Sequence, residues 1–487
     1  MTGIPTPHTP THHQCLQVGE VLQLILTHVA FHRPTLAAMA ITCRGFREIS
    51  LDMLWKDIDL VDLLKVLSPI GWDKDEEGMC FVRALTSEDW LRFDALAYRV
   101  RRGAFYSTLS SSLIREIHAT RPHAVPLLPR IRELDYQGAQ LDHTLLFLGP
   151  TLIIFNLSMF DDSRSDLYGI PGFFARISTF SPSLTEVAVS GNYADEEIAD
   201  AVAELLLSLP GLQTIDLSIP FIDPILHALA ILPDSQVLDP TCTTMDPISR
   251  IIIPLRLKSL SIGDASITEL PVFLSCETCS QLKSLVLDGY NLSFDMDVRM
   301  VLQACGNLTL LETLIVTCDA RSEDLTAGDL LAIQSCVALR TLSVHIEGSV
   351  LLTDYDIDAL VSKLPMLVKL TLFGKADTPI PATTLRSLLI IISSCPSIRD
   401  INLSINDVGP IPEVNCAVHS NLQFVTLYNS SIDDPLRIAQ FLEGLSDVTE
   451  FEARKVSHRD FIFVRKRGGG RGRASQEQRT LLSYMLY

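Results

Sequence analysis

Cys276 and Cys279 form a C-x-x-C pair, the spacing that supplies half of a zinc site or a redox-active thiol pair. No second C-x-x-C pair accompanies it, and the pair does not precede a helix in a βαβ unit. Cys279, Cys336 and Cys395 each stand three residues before the first apolar residue of a repeated motif described below. This shared position predicts small buried thiols at a turn, so we expect neither a metal site nor redox chemistry.

Three histidines stand near the start of the chain, in a segment rich in proline and threonine: His8, His12 and His13. Such a segment is typical of a disordered terminus, where histidines bind metals only adventitiously. The sequence has no nucleophile elbow, no glycine-rich phosphate loop and no H-E-x-x-H helix. We therefore expect a protein that needs no cofactor and is not an enzyme.

The composition favours a water-soluble chain with a sizeable hydrophobic core. The chain has 487 residues, of which 47% are hydrophobic, and its net charge is −19. That charge argues against binding to the phosphates of nucleic acids. The sequence shows no secretory signal and no run of 18 apolar residues, so we expect neither export nor a membrane span. The eleven cysteines should then stay reduced in the cytoplasm, the nucleus or both.

A motif of the form L-x-x-L-x-L recurs along most of the chain, with other apolar residues replacing some leucines. Its twelve copies begin at Ile131, Leu152, Leu184, Leu212, Leu257, Leu282, Leu311, Leu339, Leu367, Ile398, Leu422 and Val448. Most intervals between successive copies lie in or near the range that is typical of leucine-rich repeats. Alternating apolar residues predict a short strand with one buried face, and the remainder of a copy predicts a helix. The expected fold is an α/β leucine-rich-repeat solenoid, with parallel strands on its concave face and helices on its convex face.

Residues 16–58 predict three short helices, one over about Val18 to Val29, one from Pro34 and one that ends near Trp55. About forty residues are too few for a self-sufficient core. The helices carry more apolar side chains than they can cover mutually, and these are Leu22, Leu36, Met39, Phe46, Leu54 and Trp55. Such a surplus predicts an interface.

The order of residues in this helical stretch resembles an F-box. The resemblance is carried by Leu16, Glu20, Leu22, Ile25, Leu36, Cys43, Phe46, Leu54 and Trp55. The usual Leu-Pro opening is missing, and residues 17–19 read Gln-Val-Gly in its place. An F-box followed by leucine-rich repeats is similar to the F-box–LRR proteins of fungal type, and residues 88–105 are similar to a linker in such proteins.

The resemblance implies a non-catalytic substrate receptor of an SCF-type ubiquitin ligase. The F-box would bind a Skp-type adaptor, and through it the cullin ligase, with the residues named above and Met39. The repeats would hold a protein substrate near the ubiquitin-loading enzyme. Three alternatives stay open: an LRR interaction scaffold without a ligase role, an N-terminal cap of the repeats, and an enzyme whose site lies in the linker or in an inserted loop. A cap should adjoin the first repeat, whereas the long stretch 59–130 separates the helices from Ile131.

The expected domain order is a disordered N-terminus, an F-box-like domain, a helical linker, the repeats and a basic flexible tail. Their bounds are 1–14, 15–60, 61–125, 126–457 and 458–487. Within the repeats, residues 231–250 are rich in Pro, Asp and Thr, which predicts an inserted loop. The basic tail segment 464–479 is interpreted as an RNA-binding piece, a nuclear-import signal or a solvated linker.

The third, fifth and seventh positions of each motif should project from the concave face. The early copies place Glu133, Asp135, Glu186 and Asp216 there, and the middle copies place serine and threonine. The late copies predict a substrate-binding surface that consists of His345, Lys369, Phe373, Asn402, Phe424, Tyr428 and Arg454. The alternative is that Phe373 and Phe424 merely cover one another across neighbouring strands.

Overall fold

The chain is a mixed α/β protein with a large parallel sheet and helices, and its computed structural model divides into two compact units, Met1–Ala188 and Val189–Tyr487. The structure describes residues 19–42, 44–73, 78–106, 109–121, 126–137, 141–159, 170–191, 196–209, 211–219, 222–223, 225–226, 257–263, 270–276, 279–289, 298–318, 324–374, 382–406, 421–428, 441, 450–454 and 461–465. Within these ranges, no helix has the length and apolarity of a membrane span. The predicted loop 231–250 lies outside them.

The first unit begins with the three helices that the sequence predicts: α1 (Gly19–Thr27), α2 (Arg33–Thr42) and α3 (Arg44–Lys56). Helix α1 ends two residues before the predicted Val29, because residues 28–31 form a turn. Helix α2 packs along α3, and α1 also contacts α3. This packing buries Leu22, Leu26 and Leu36.

The remainder of the first unit alternates strands with helices. Its elements are β1 (Asp57–Asp59), α4 (Leu60–Leu67), β2 (Ile70–Asp73), β3 (Gly78–Phe81), α5 (Ser87–Ala97), β4 (Arg102–Phe105), α6 (Ser111–Thr120), β5 (Glu133–Gln137), a 3-10 helix (Leu141–Leu146), β6 (Ile154–Met159), α7 (Ile170–Phe180) and β7 (Glu186–Gly191), in which the division between the units falls. Strands β1, β4, β5 and β6 pair in this order, all parallel. Strands β2 and β3 form a separate antiparallel pair.

The parallel ladder starts earlier than the sequence predicts. Strand β1 directly follows α3, and β4 lies inside the stretch 61–125 that we predicted to be a helical linker. Both strands fit the repeated motif in hindsight, since "WKDIDL" starts at Trp55 and "VRRGAF" at Val100. The second copy has Gly103 where leucine is usual, and a Cβ there would lie 2.7 Å from Cδ2 of Leu60. The Leu60 side chain thus fills the space that a fourth-position leucine would need, which is why the motif was missed.

The second unit repeats the same alternation. Its elements are α8 (Glu196–Leu207), β8 (Thr214–Ser218), β9 (Ser259–Gly263), α9 (Leu270–Leu274), β10 (Ser284–Gly289), α10 (Val298–Cys305), β11 (Thr313–Cys318), β12 (Leu325–Thr326), α11 (Ala327–Leu331), a 3-10 helix (Ala332–Ser335), β13 (Thr341–Ile346), β14 (Val350–Leu351), α12 (Asp354–Val361), β15 (Lys369–Gly374), α13 (Leu385–Ser394), β16 (Asp400–Leu403), β17 (Phe424–Tyr428), β18 (Glu450–Arg454) and β19 (Phe461–Arg465). Strands β8, β9, β10, β11, β13, β15, β16, β17 and β18 pair in this order, all parallel.

Side chains alternate between a buried and an open face along these strands, as the motif predicts. Burial of the fourth and sixth motif positions is confirmed for Leu285, Leu287, Leu342, Val344, Leu370 and Leu372, each at most 1% exposed. Strand β19 was not expected, because we predicted a flexible tail from residue 458. It pairs antiparallel with β18. The apolar run "FIFV" at 461–464 favours a strand, and pairing there satisfies the backbone groups at the edge of β18.

Polar contacts join neighbouring repeats on the helical side. Thr353 and Asp356 form a reciprocal cap at the start of α12. In the same turn, the carboxylate of Asp354 accepts hydrogen bonds from the next repeat. The donors are the amide and hydroxyl of Thr384, at 2.8 and 2.7 Å, and the hydroxyl of Ser387, at 2.5 Å. These bonds set the positions of α12 and α13 relative to each other.

Candidate interaction surfaces

Several large apolar side chains of the N-terminal helices are exposed. Phe31 is 99% exposed and Ile41 is 87% exposed, while Leu24 and Ile25 are 64% and 42% exposed. We call these four residues the helical apolar set. Exposed apolar area that is concentrated in so short a stretch is typical of an interface.

The predicted adaptor-binding residues differ in their accessibility. Leu22 and Leu36 are 3% and 1% exposed, so our expectation that they are exposed is wrong. Both side chains are buried where the three helices pack against one another, and there they stabilise the first unit. Ile25 and Glu20 are exposed, and four others are half-buried: Met39, Phe46, Leu54 and Trp55. Leu16 and Cys43 lie outside the described residues.

Ionic contacts fix α3 to the chain segment that follows α5. The guanidinium of Arg99 forms an ion pair with Glu48, with 2.5 Å between Nη2 and Oε2, and a second one with Asp52. The hydrogen bond from Arg99 holds the pKa of Glu48 below its usual value. Arg33 also donates to the carbonyl oxygen of Leu54, 3.3 Å away. Since α3 both leads into β1 and contacts the next repeat, the helices adjoin the ladder. The first strand of the ladder is β1, which directly follows α3, so the stretch 59–130 does not argue against a cap.

The open face of the first unit is less acidic than predicted. Arg102 of β4 forms ion pairs with Glu133 and Asp135, each at 3.1 Å. Asp135 also accepts a hydrogen bond from the Asn156 amide. Burial raises the pKa of Glu133, and Arg102 opposes that shift. We did not predict Arg102 on this face because β4 was not recognised as a strand.

Most of the predicted substrate-binding residues lie on the open face of β13, β15, β16 and β17. The rings of His345 and Phe373 meet edge to face, with 4.2 Å between their centroids. Lys369 lies 3.5 Å from the Asp400 carboxylate. Asn402 donates a hydrogen bond to the hydroxyl of Thr371, 2.9 Å away. These contacts pre-order a mixed aromatic and polar surface, which reduces the entropy lost when a partner binds.

Phe373 and Phe424 do not cover one another. Phe424 is opposite Asp400 in β16, whereas Phe373 is opposite His345 in β13. Because β16 lies between β15 and β17, the two phenylalanines are about 16 Å apart by strand spacing and rise. Phe424 is 42% exposed. The backbones of Tyr428 and Arg454 are opposite each other, and their side chains lie outside the described part of the chain.

The three thiols that share one motif position, Cys279, Cys336 and Cys395, are buried as predicted. Burial raises the pKa of Cys279 to about 12 and the pKa of Cys336 and Cys395 to about 11. These thiols stay protonated near neutral pH, so they are poor nucleophiles and poor metal ligands. The described residues contain no group of three or more His, Cys, Asp or Glu that could hold a metal ion.

We expect alkylation by iodoacetamide to distinguish the thiols. Among the cysteines that the structure describes, Cys80 and Cys276 are half-buried and should be modified first in the folded protein. Cys279, Cys336 and Cys395 should react only after unfolding in urea, because their pKa values are raised and they are buried. Peptide mass spectrometry over time measures each site. If Cys336 is modified as fast as Cys276 in the native protein, the thiols at this motif position are not buried.

No protein-family model matches the chain, and a search of curated proteins finds no match. The assignment of a function therefore depends on the surfaces described above.

Proposed function

We propose that the chain is an F-box protein with a leucine-rich-repeat solenoid, and that it serves as the substrate-recognition subunit of an SCF-type ubiquitin ligase. The F-box resemblance of residues 16–58 and the repeated motif support this proposal. The observation that carries it is the helical apolar set, whose large apolar side chains are exposed on α1, on α2 and in the turn between them, in the helices that precede the first strand of the ladder.

In this function the F-box helices bind a Skp-type adaptor, which connects the protein to the cullin ligase. Phe31 and Ile41, the most exposed members of the helical apolar set, supply most of the area that becomes buried on binding. Leu54 and Trp55 are half-buried and stabilise the helices as well as the interface. The protein itself performs no chemistry, and its contribution is the proximity of a substrate lysine to the ubiquitin thioester.

The substrate surface of this proposal is the open, concave face of the late strands. His345, Lys369, Phe373, Asn402 and Phe424 contribute to it. The backbone of Tyr428 in β17 is opposite that of Arg454 in β18, so these two residues extend the surface by one strand. Aromatic rings beside cations favour a protein partner that combines an apolar anchor with acidic residues. The expected location is the cytoplasm, the nucleus or both.

The second candidate function is an LRR interaction scaffold without a ligase role. It is favoured by the direct continuation of α3 into β1, because a helical cap at the end of a repeat array would be joined in this way. The missing Leu-Pro opening also favours it.

A pull-down with a purified Skp-type adaptor distinguishes the two functions. We expect the full-length chain to bind, and the double variant Phe31→Ala/Ile41→Ala to lose more than about 1 kcal/mol per residue of binding free energy. Tyr355→Ala is the matched control, because Tyr355 is 79% exposed but lies in α12 of the second unit. Deletion of residues 1–60 is unsuitable, since it removes β1.

The result that would overturn the ligase function is a folded full-length chain that does not retain the adaptor. Equal binding by the double variant and the wild type would overturn the assignment of the helical apolar set. Circular dichroism and thermal melting of each variant verify that the change has not unfolded the protein.

A further inference from the structure

One segment of the first unit is basic although the chain as a whole is acidic. Residues 99–132 contain seven arginines and one acidic residue, Glu116, and so carry a net charge of +6. Since the whole chain carries −19, the other residues together carry −25. A local excess of this size within an acidic chain attracts anions to one place.

Part of this segment lines a half-open cavity of about 410 Å³ in the first unit. The cavity lies where β1, β4, β5 and β6 begin. Its basic residues are Lys56, Arg101, Arg102 and Arg132, and its apolar residues are Ile153 and Ile154. Asp57 and Glu133 also line it, so that the lining residues carry a net charge of +2.

Three of the cations form a row across the strands. Lys56, Arg101 and Arg132 each immediately precede a strand, and backbone hydrogen bonds link them in that order. The Arg101 amide donates to the Lys56 carbonyl at 2.9 Å, and the Arg132 amide donates to the Arg101 carbonyl at 2.7 Å. Strand spacing therefore sets successive cations about 5 Å apart at their backbones.

The row is available to a ligand, whereas Arg102 is not. Arg102 already forms ion pairs with Glu133 and Asp135. Among the described residues, no carboxylate forms an ion pair with any cation of the row; Arg101 donates one hydrogen bond, to the Arg130 carbonyl at 3.2 Å. Three cations that form no ion pair with a described carboxylate therefore line a cavity that also offers apolar surface.

We propose that this cavity binds a small organic phosphate, with the phosphate group on the row Lys56, Arg101 and Arg132 and the organic part against Ile153 and Ile154. Guanidinium groups match phosphate oxygens with paired donors, and lysine adds a point charge. A phosphate monoester carries about two negative charges near neutral pH, which balances the net charge of the cavity lining. The volume is within the range of small-molecule sites. This site is independent of the function proposed above.

Isothermal titration calorimetry of the full-length chain with phenyl phosphate tests the proposal, at constant ionic strength. We expect a dissociation constant below about 1 mM for the wild type. Inorganic phosphate should bind more weakly because it lacks the apolar part, and benzoate should bind more weakly because it carries a single charge. The double variant Arg101→Gln/Arg132→Gln should weaken binding of phenyl phosphate by about tenfold or more.

A matched control tests whether the loss of any two cations that directly precede strands of the parallel sheet would weaken binding equally. Lys258 and Lys283 hold the same motif position before β9 and β10, but each already has a partner. Lys258 donates to Gln213 at 2.7 Å, and Lys283 forms an ion pair with Glu312 at 2.7 Å. The double variant Lys258→Gln/Lys283→Gln should keep the affinity of the wild type within about twofold, because neither lysine lines the cavity. It removes the same total charge as the first double variant, so it controls for a general effect of charge.

Several results would overturn the proposal. They are no binding of phenyl phosphate by the wild type, an equal loss in the control variant, and binding of benzoate as tight as that of phenyl phosphate. If the first double variant melts earlier than the wild type, the single change Arg132→Gln decides, because the exposed Arg132 side chain has no hydrogen bond or ion pair to a described residue. An unchanged affinity in that folded variant would likewise remove Arg132 and the row from the site.

Discussion

Replacement of Asp89 by alanine should lower the free energy of unfolding of the first unit by about 3 kcal/mol, measured by urea denaturation at pH 7. The Asp89 carboxylate is 1% exposed. Arg83 donates to both of its oxygens, at 2.7 and 2.8 Å, and the amide and hydroxyl of Thr86 donate at 2.8 and 2.7 Å. Arg92 forms a further ion pair with it. The change also removes the carboxylate half of the capping box of α5, the helix that buries Trp90 and Phe93.

The matched control is Asp62→Ala. Asp62 also lies in the first turn of a helix of the first unit and pairs with a cation, Lys65, at 2.8 Å. Both side chains of that pair are about half exposed, so water and salt screen the interaction. We expect a loss of at most about 0.5 kcal/mol. Equal losses in the two variants would contradict the role of burial at Asp89.

The stabilisation by Asp89 should depend on pH. Hydrogen bonds, first from Arg83 and then from Thr86, hold the pKa of Asp89 far below its usual value. A carboxylate whose pKa is lowered by folding stabilises the native state above its unfolded pKa of about 3.9, and this contribution decreases as the pH falls. The stability difference between wild type and Asp89→Ala should therefore be constant from about pH 6 to 8 and decrease below about pH 4. A difference that increases in acid would contradict this sign.

Replacement of Gly374 by alanine should destabilise the second unit by about 2 kcal/mol or more. Gly374 is the last residue of β15 and is buried. A Cβ at this position would lie 2.6 Å from the Gly348 carbonyl oxygen and 3.0 Å from the Val350 amide nitrogen. Both atoms belong to the backbone, which cannot move aside as a flexible side chain would. The segment would have to shift, at the expense of the short pair of β12 and β14.

The control for this change is Gly328→Ala in α11 of the same unit. The nearest atom to a Cβ there is the Thr326 hydroxyl oxygen, 3.7 Å away, which is an ordinary contact. Alanine also has a higher helix propensity than glycine by about 1 kcal/mol, so this variant should be neutral or slightly stabilised. Urea denaturation of both variants measures the contrast. The explanation fails if Gly374→Ala is as stable as the wild type.

The strands of the second unit could be predicted because their signal is local. Each motif copy has apolar residues at its fourth and sixth positions with a polar or small residue often between them, and this local alternation is enough for a short strand to bury one face. Strands β1, β4 and β19 were not predicted, and at β4 the reason is non-local packing. At β4 the core position is Gly103, since Leu60 from another element fills the space. No property of residues 100–105 alone reveals this.

The candidate surfaces could be predicted only in part. The three N-terminal helices and their apolar surplus follow from helical periodicity. Which apolar residues are exposed was predicted wrongly for Leu22 and Leu36, and Phe31 and Ile41 were overlooked. Short helices offer several packing arrangements of similar apolarity, so the choice of the buried face depends on the neighbouring helices.

The repeating strand, its buried positions and the acidity of the chain could be read from the residues in order, because each depends on residue type and short spacing. Which charges form ion pairs could not, because this depends on how the repeats pack. Arg102 and Glu133 are far apart in sequence, yet they form an ion pair because β4 and β5 are adjacent in a parallel register. The same register brings Lys56, Arg101 and Arg132 to one cavity. Cross-strand distances follow from pairing and register, and chain segments as distant as these acquire a register only when the repeats pack on one another.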